Sequence, residues 1–153
     1  MDLKLLKKIY LFKDLTNREL EKILKISKIE KYPANAVIFR EGDRGDKFYV
    51  ILKGKVRISK RVEGIGEEAL AILGPGSFFG EMSLIDDFPR SADAITNEPT
   101  ELLTISKEDF ENLLFLDKDL AYSVLWAFLR TLSSRLRETN EKIKAFFAMS
   151  AHF

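Results

Sequence analysis

Between Ile29 and Ile105 the chain never keeps one hydrophobic period long enough for a helix, and this restricts its fold more than any other feature. Short β-prone runs follow one another: Ala36-Val37-Ile38-Phe39, Phe48-Tyr49-Val50-Ile51-Leu52, Val56-Arg57-Ile58-Ser59, Ala69-Leu70-Ala71-Ile72-Leu73, Ala92-Asp93-Ala94-Ile95-Thr96 and Leu102-Leu103-Thr104-Ile105. The segments between them carry turn chemistry, as in Pro33-Ala34-Asn35, Glu41-Gly42-Asp43-Arg44-Gly45-Asp46, Lys53-Gly54-Lys55, Gly64-Ile65-Gly66 and Asn97-Glu98-Pro99. Strands this short and regularly spaced predict a β-sandwich or barrel, not a βαβ sheet. Gly42, Gly45 and Gly54 read as turn positions where glycine supplies a positive φ, with no part in ligand contact.

Helical periodicity flanks this region on both sides. From Met1 to Phe12, Lys4, Lys7 and Lys8 interrupt Leu3, Leu5, Leu6 and Ile9, which predicts an amphipathic helix and leaves no uninterrupted core for a signal peptide. Thr16-Asn17-Arg18-Glu19 has the form of a capping box, leading Leu20, Ile23 and Leu24 into a second helix that ends near Ile26. Past Ser106, Asp109, Phe110, Leu113 and Leu114 fit a short helix, and a long one starts near Leu120. The fold class expected is therefore α+β in a single domain, with helices over 1–27, strands over 28–106 and helices over 107–153. A chain of 153 residues has room for one full core. It contains no run of 18 apolar residues, so no membrane span is expected.

With 25 basic against 24 acidic residues, no broad field steers the chain to nucleic acid or an anionic membrane, and any anion must be captured locally. There is no cysteine, which excludes disulfides and thiolate metal sites and fits a cytoplasmic location. His152 is the only histidine and stands one residue from the end, which argues against a histidine-rich metal site or a two-metal phosphodiesterase. Asp43 and Asp46 lack the remaining ligand spacing of a calcium loop. No nucleophile–base pair stands out, so neither an enzyme nor a bound metal or cofactor is expected.

The run from Phe79 to Ala92 carries the most chemistry. Gly74 and Gly76 around Pro75 form a tight turn ahead of it, and Gly80 lets a ligand come close to the backbone. If Met82 to Ile85 make one helical turn, their free N–H groups face an anion together with Arg90. Glu81 has the wrong sign for phosphate, and its natural partners are ribose hydroxyls, which donate to a carboxylate. A phosphate about 4 Å from a guanidinium gains roughly 4 kcal/mol at an effective dielectric near 20, before desolvation. The bland alternative, a surface Glu81–Arg90 ion pair, is worth at most about 1 kcal/mol.

The last helix shows a second pattern. Tyr122, Leu125, Leu129, Leu132, Leu136, Thr139, Ile143 and Phe146 recur at alternating steps of three and four, a heptad seam narrow enough to favour pairing with a second copy. Val124, Phe128 and Phe147 lie beside that seam, so packing on the chain's own domain remains the alternative. Thr139, polar within the seam, is either a tolerated hydroxyl or a group pointing at a ligand beneath the helix.

The residues also resemble the cyclic nucleotide-binding domain of catabolite-activator proteins, protein kinase A regulatory subunits and cyclic-nucleotide-gated channels. The resemblance covers nearly the whole chain and is carried by Tyr32 to Asp43, by Gly45 to Ile51 with Gly54, Val56 and Ile58, and above all by Phe79-Gly80-Glu81 followed by Pro89-Arg90-Ser91-Ala92. It implies an eight-stranded jelly-roll barrel flanked by helices, with the nucleotide inside the barrel under the C-terminal helix. It also implies that Arg90 pairs with the cyclic phosphate, Glu81 accepts from the ribose 2′-hydroxyl, and Gly80, Met82 and Ser83 line the phosphate-binding cassette. Ser91 would add a hydroxyl to the phosphate or the base.

For the base, the resemblance points to Thr139 and Asn140, at the positions where catabolite-activator proteins place a Thr-Ser pair against adenine, one residue from each subunit. Here the pair stands about four residues further from Phe110, close to one helical turn. Either the contact is kept, or Arg135 or Leu136 caps the base instead. The expected function is a regulatory module that binds cAMP in preference to cGMP and resets its C-terminal helix, as a homodimer acting on an unidentified downstream protein. The chain stops where catabolite-activator proteins continue into a helix-turn-helix, so no direct DNA binding is expected. A dimerisation scaffold that keeps the fold without a ligand is the alternative.

Overall fold

The computed structural model describes residues 3–151. Eight strands form two four-stranded antiparallel sheets. β1 (Ser27–Tyr32), β8 (Thr100–Ser106), β3 (Lys47–Lys53) and β6 (Phe78–Phe79) make the first, in that spatial order. β2 (Val37–Phe39), β7 (Asp93–Thr96), β4 (Val56–Val62) and β5 (Gly66–Leu73) make the second. The jelly-roll architecture expected from the resemblance is thus present, with every run named in the sequence found as a strand. β1 and β6 are additions to the six runs named in the sequence. Two residues between Gly76 and Gly80 are too few to show a period of two.

Alternation along the first sheet sends side chains into two separate cores. Tyr49, Ile51, Phe79 and Leu102 face inward and meet Val56 and Ala94 of the second sheet. Phe48, Val50, Phe78, Leu103 and Ile105 face outward, where helices cover them. This is why β3 is buried almost continuously although the sheet is antiparallel.

The covering helices begin where their caps dictate. In α2 (Asn17–Lys25), Thr16 accepts from the Glu19 amide while Glu19 accepts from the Thr16 amide, so the capping box forms as expected. Ser106 caps α4 (Lys107–Leu116), and Asp117 caps α5 (Lys118–Ser150) by accepting from Leu120 N–H at 3.1 Å. At 33 residues α5 is about 50 Å long. The opening helix is shorter than the sequence suggested: α1 covers Leu3–Leu6 only, and the chain then turns so that Ile9, Leu11, Phe12 and Leu15 all enter the core. Those residues cannot all face one side of a continuous helix, so burial overrides the local period.

α5 divides along its length. Leu120, Ala121, Val124, Ala127 and Phe128 are buried against the first sheet and α4. On an adjoining face, Tyr122, Leu125, Leu129, Leu136, Ile143 and Phe146 of the seam are exposed, and so is Phe147 beside it. Among the described residues no helix is long and apolar enough to cross a membrane. His152 lies outside the described residues.

Candidate functional site

The segment that follows β5 is fixed before it reaches any functional side chain. Ser77 N–H bonds to Gly74 O at 3.2 Å, closing a turn over Pro75 with Gly76 at φ 90°, and Gly76 N–H and Ser77 O both bond to Ile51 of β3 at 2.9 Å. β6 then delivers Phe79 inward, and Gly80 takes φ 75°, a left-handed conformation that reverses the chain into α3 (Met82–Ile85). The single helical turn expected at Met82 to Ile85 is therefore present. A Cβ on Gly80 would lie 2.8 Å from Arg90 Nη1, so its absence also makes room for the guanidinium.

Arg90 is clamped at both ends. Its amide donates to Asp43 O and its carbonyl accepts from Gly42 N–H, each at 2.8 Å. Its Nη1 donates to Gly80 O at 2.9 Å and to Ser83 Oγ at 3.0 Å, while Nη2 donates to Lys47 O at 2.8 Å. The guanidinium lies over the Phe39 ring at 4.2 Å, and Tyr49 stacks on Phe79 beneath it. Arg90 is 6% exposed, yet among the described residues no carboxylate forms an ion pair with it, and its Nε has no hydrogen-bond partner. Burial holds it below arginine's ordinary pKa. Burial likewise pushes the neighbouring Tyr49 phenol up to about 12, so it is neutral and offers no counter-charge.

Gly45 has a role that the sequence reading misassigned. Gly42 and Gly54 do take positive φ, 90° and 91°, as expected, but Gly45 does not. A Cβ there would lie 1.9 Å from Ser83 Oγ and 2.9 Å from Arg90 Cζ. Glycine is required at that position by the close approach of the loop to the cassette, not by a turn.

Glu81 is equally buried, at 7% exposure, and Arg135 of α5 meets it at 3.2 Å. The same guanidinium donates through Nη2 to Phe78 O and lies 4.5 Å from the Phe78 ring. The long helix is thus tied to the cassette through the carboxylate assigned to the ribose. A pair 54 residues apart in sequence leaves no local signature, although Arg135 was one of the two candidates for capping the base.

These groups line a cavity of about 630 Å³, within the roughly 300–1,000 Å³ usual for small-molecule sites. Its apolar wall is Ile58, Leu70, Ala71 and Leu73 of the second sheet, and its polar end is the cassette. Of the residues singled out in the sequence, Gly80, Glu81, Met82, Ser83, Arg90, Ser91 and Thr139 line it together, whereas Asn140 and Leu136 do not. Thr139 Oγ1 donates to Arg135 O at 2.9 Å, so its hydroxyl is engaged by its own helix. Glu138 and Lys142, which the sequence reading passed over, also reach the cavity from α5, and Lys142 Nζ donates to Leu70 O at 3.1 Å. Their spacing of four from one another marks one helix face, which adjoins the heptad seam and shares Thr139 with it.

Known proteins are similar to this chain. The chain is 42% identical over 104 residues to the cyclic AMP receptor protein of Thermus thermophilus, covering 68% of this chain and 48% of that protein. It is 31% identical over 147 residues to human cGMP-dependent protein kinase 2, covering 95% of this chain and 19% of the kinase. The chain thus spans about half or less of the length of these relatives. Among solved structures, a cyclic nucleotide-binding domain from Methylobacillus flagellatus superposes with a TM-score of 0.82 at 33% identity, covering 92% of this chain and 79% of that one. A family model described as the cyclic nucleotide-binding domain matches residues 29–117, which include the whole cassette from Phe79 through Ala92, and the chain belongs to that family.

Proposed function

We propose that this chain is a cyclic nucleotide sensor that binds cAMP in preference to cGMP. The observation that carries the reading is Arg90, a buried guanidinium with no carboxylate partner among the described residues and a free Nε, facing a cavity of fitting size. A buried charge left unpaired is costly, and a cyclic phosphate supplies the missing anion. Ser83 and the opening amides of α3 stand beside it to share the phosphate oxygens. Glu81 takes the ribose hydroxyls and the apolar wall takes the base. The higher identity to a protein named for cyclic AMP than to the cGMP-dependent kinase supports cAMP.

Ribose hydroxyls and Arg135 compete for one carboxylate, so occupancy alters the tie that holds α5 to the cassette. Differential affinity for the tied and untied helix is what makes the module a switch. The exposed seam on α5 supports pairing with a second copy, through which a change in helix position would be read out.

Calorimetric titration of the full chain tests the binding step. cAMP should bind more tightly than cGMP, and Arg90→Leu should weaken cAMP by at least about thirty-fold, the lower end for truncating one partner of a buried charge pair. A wild-type chain that gives no heat with either nucleotide overturns the reading and leaves the dimerisation scaffold, which the exposed seam favours. Sedimentation separates the second step: a wild-type dimer should become monomeric with Leu132→Glu and Leu136→Glu together.

A further inference from the structure

Behind the cassette a second crevice of about 340 Å³ opens between the N-terminal segment and α5. It is built, not incidental, because Tyr10 N–H bonds to Gly76 O at 3.3 Å and pins the N-terminal segment to the turn that leads into β6. Lys13, Arg130 and Arg135 line it against one carboxylate, Glu138, and Ser77 and Ser134 are part of the same lining. Lys13 has no ion pair among the described residues, and Asp14, which meets Arg130 at 3.8 Å, is not part of the lining. The lining thus carries three cations against one carboxylate, while Glu81 meets Arg135 and Asp14 meets Arg130 from outside it. Leu73, Arg135 and Glu138 line both this crevice and the nucleotide cavity, so Arg135 stands in the wall between them.

We propose that this crevice is a second anion site, taking a compact phosphorylated small molecule, and that its occupancy is felt in the cassette through Arg135. Lys13, together with Arg130 and Arg135 once an anion displaces their carboxylate partners, supplies the donors that a phosphoryl group requires. An anion there competes with Glu81 for the Arg135 guanidinium. Once that tie is loosened, Glu81 is left buried without a cation and accepts ribose hydroxyls more readily. The two sites then support one another, and the effect is reciprocal. The existence of the site stands on its own geometry, whereas its link to nucleotide binding rests on the function proposed above.

The test titrates the full chain with pyrophosphate, and with inorganic phosphate in parallel, at about 0.15 M salt so that diffuse surface attraction is screened. Pyrophosphate should bind once per chain, and Lys13→Glu with Arg130→Glu should weaken it at least about ten-fold while leaving cAMP affinity in its absence unchanged. Arg90→Leu should lose cAMP and keep pyrophosphate. Saturating pyrophosphate should tighten cAMP by about five-fold or more, the lower range of ordinary coupling, and Arg135→Gln should remove that gain. Absence of pyrophosphate heat in the wild type overturns the proposal, as does its loss in Arg90→Leu but not in the Lys13/Arg130 variant, which would place the anion in the cassette. Unchanged cAMP affinity with pyrophosphate bound overturns the coupling. If the wild type ignores both cyclic nucleotides yet pyrophosphate binding still depends on Lys13 and Arg130, the cassette reading falls and the crevice site stands.

Discussion

The two sheets are built from similar short strands, but they meet very different surroundings. In the first sheet β3, β6 and β8 are buried on both faces, by the second sheet on one side and by helices on the other, while the edge strand β1 leaves Ile29 52% exposed. Apart from β7, which is buried throughout, the second sheet has a single packed face, and its edge strand β5 leaves Leu70 48% and Ile72 59% exposed. The difference shows how one fold separates stability from binding. Side chains such as Phe48, which meets Phe110 edge-on at 5.0 Å and Phe128 at 5.7 Å, anchor the covered side. On the open side the sheets do not close on one another near β5, and the space left is the cavity that the cassette lines.

Substitutions can break or sharpen this contrast. Phe48→Ala should cost about 3–5 kcal/mol in denaturant unfolding, because the ring is fully buried and its neighbours on both sides are fixed. A loss below 1 kcal/mol would mean that the covered side is not the stable one. Gly45→Ala sits between the two regions. The added methyl meets Ser83 and Arg90, so a loss of about 1–3 kcal/mol is expected together with weaker cAMP binding in the same titration.

Asp117 joins α5 to α2 on the covered side, accepting from Lys22 Nζ at 2.7 Å as well as from Leu120 N–H. Asp117→Ala should cost about 1 kcal/mol, as for loss of a helix cap. Lys22 foremost, then the amide, hold the Asp117 carboxyl below its ordinary value. Its contribution is therefore complete above the unfolded value near 4 and fades as the pH falls through the lower folded value. Unfolding curves of wild type and variant should converge on acidification and stay parallel at neutral pH. Smallest of all, Ile72→Ser should change stability by no more than about 0.5 kcal/mol, since the side chain is mostly in water. A larger loss would show that the open sheet is packed after all.

The fold was legible wherever local chemistry and burial agree. Turn residues bracket each strand, and the Thr16–Glu19 box and the apolar spacing after Leu120 mark helices that exist. It was illegible where long-range packing decides. Ile9, Leu11 and Phe12 leave a helical period because the core admits them only through turns, and Phe78-Phe79 is a strand only because β3 pairs with it. At the site, Glu81 and Arg90 stood out as a sign-matched pair, and the cassette holds both within one cavity. Gly45 against Ser83 and Arg135 against Glu81 are contacts between distant segments, with nothing in their own neighbourhoods to announce them.

The division of α5 also has a mechanical consequence. The helix is gripped by the core only as far as Phe128, and from there to Ser150 it continues for about 33 Å. Arg135 attaches close to that fulcrum, where the smallest movement is needed to make or release a hydrogen bond. A tilt of about 10° about Phe128 would carry the far end through about 6 Å, more than the rise of one helical turn. On the switch proposed above, a displacement of an ångström at the cassette would become a stroke large enough to exchange one set of apolar contacts for another.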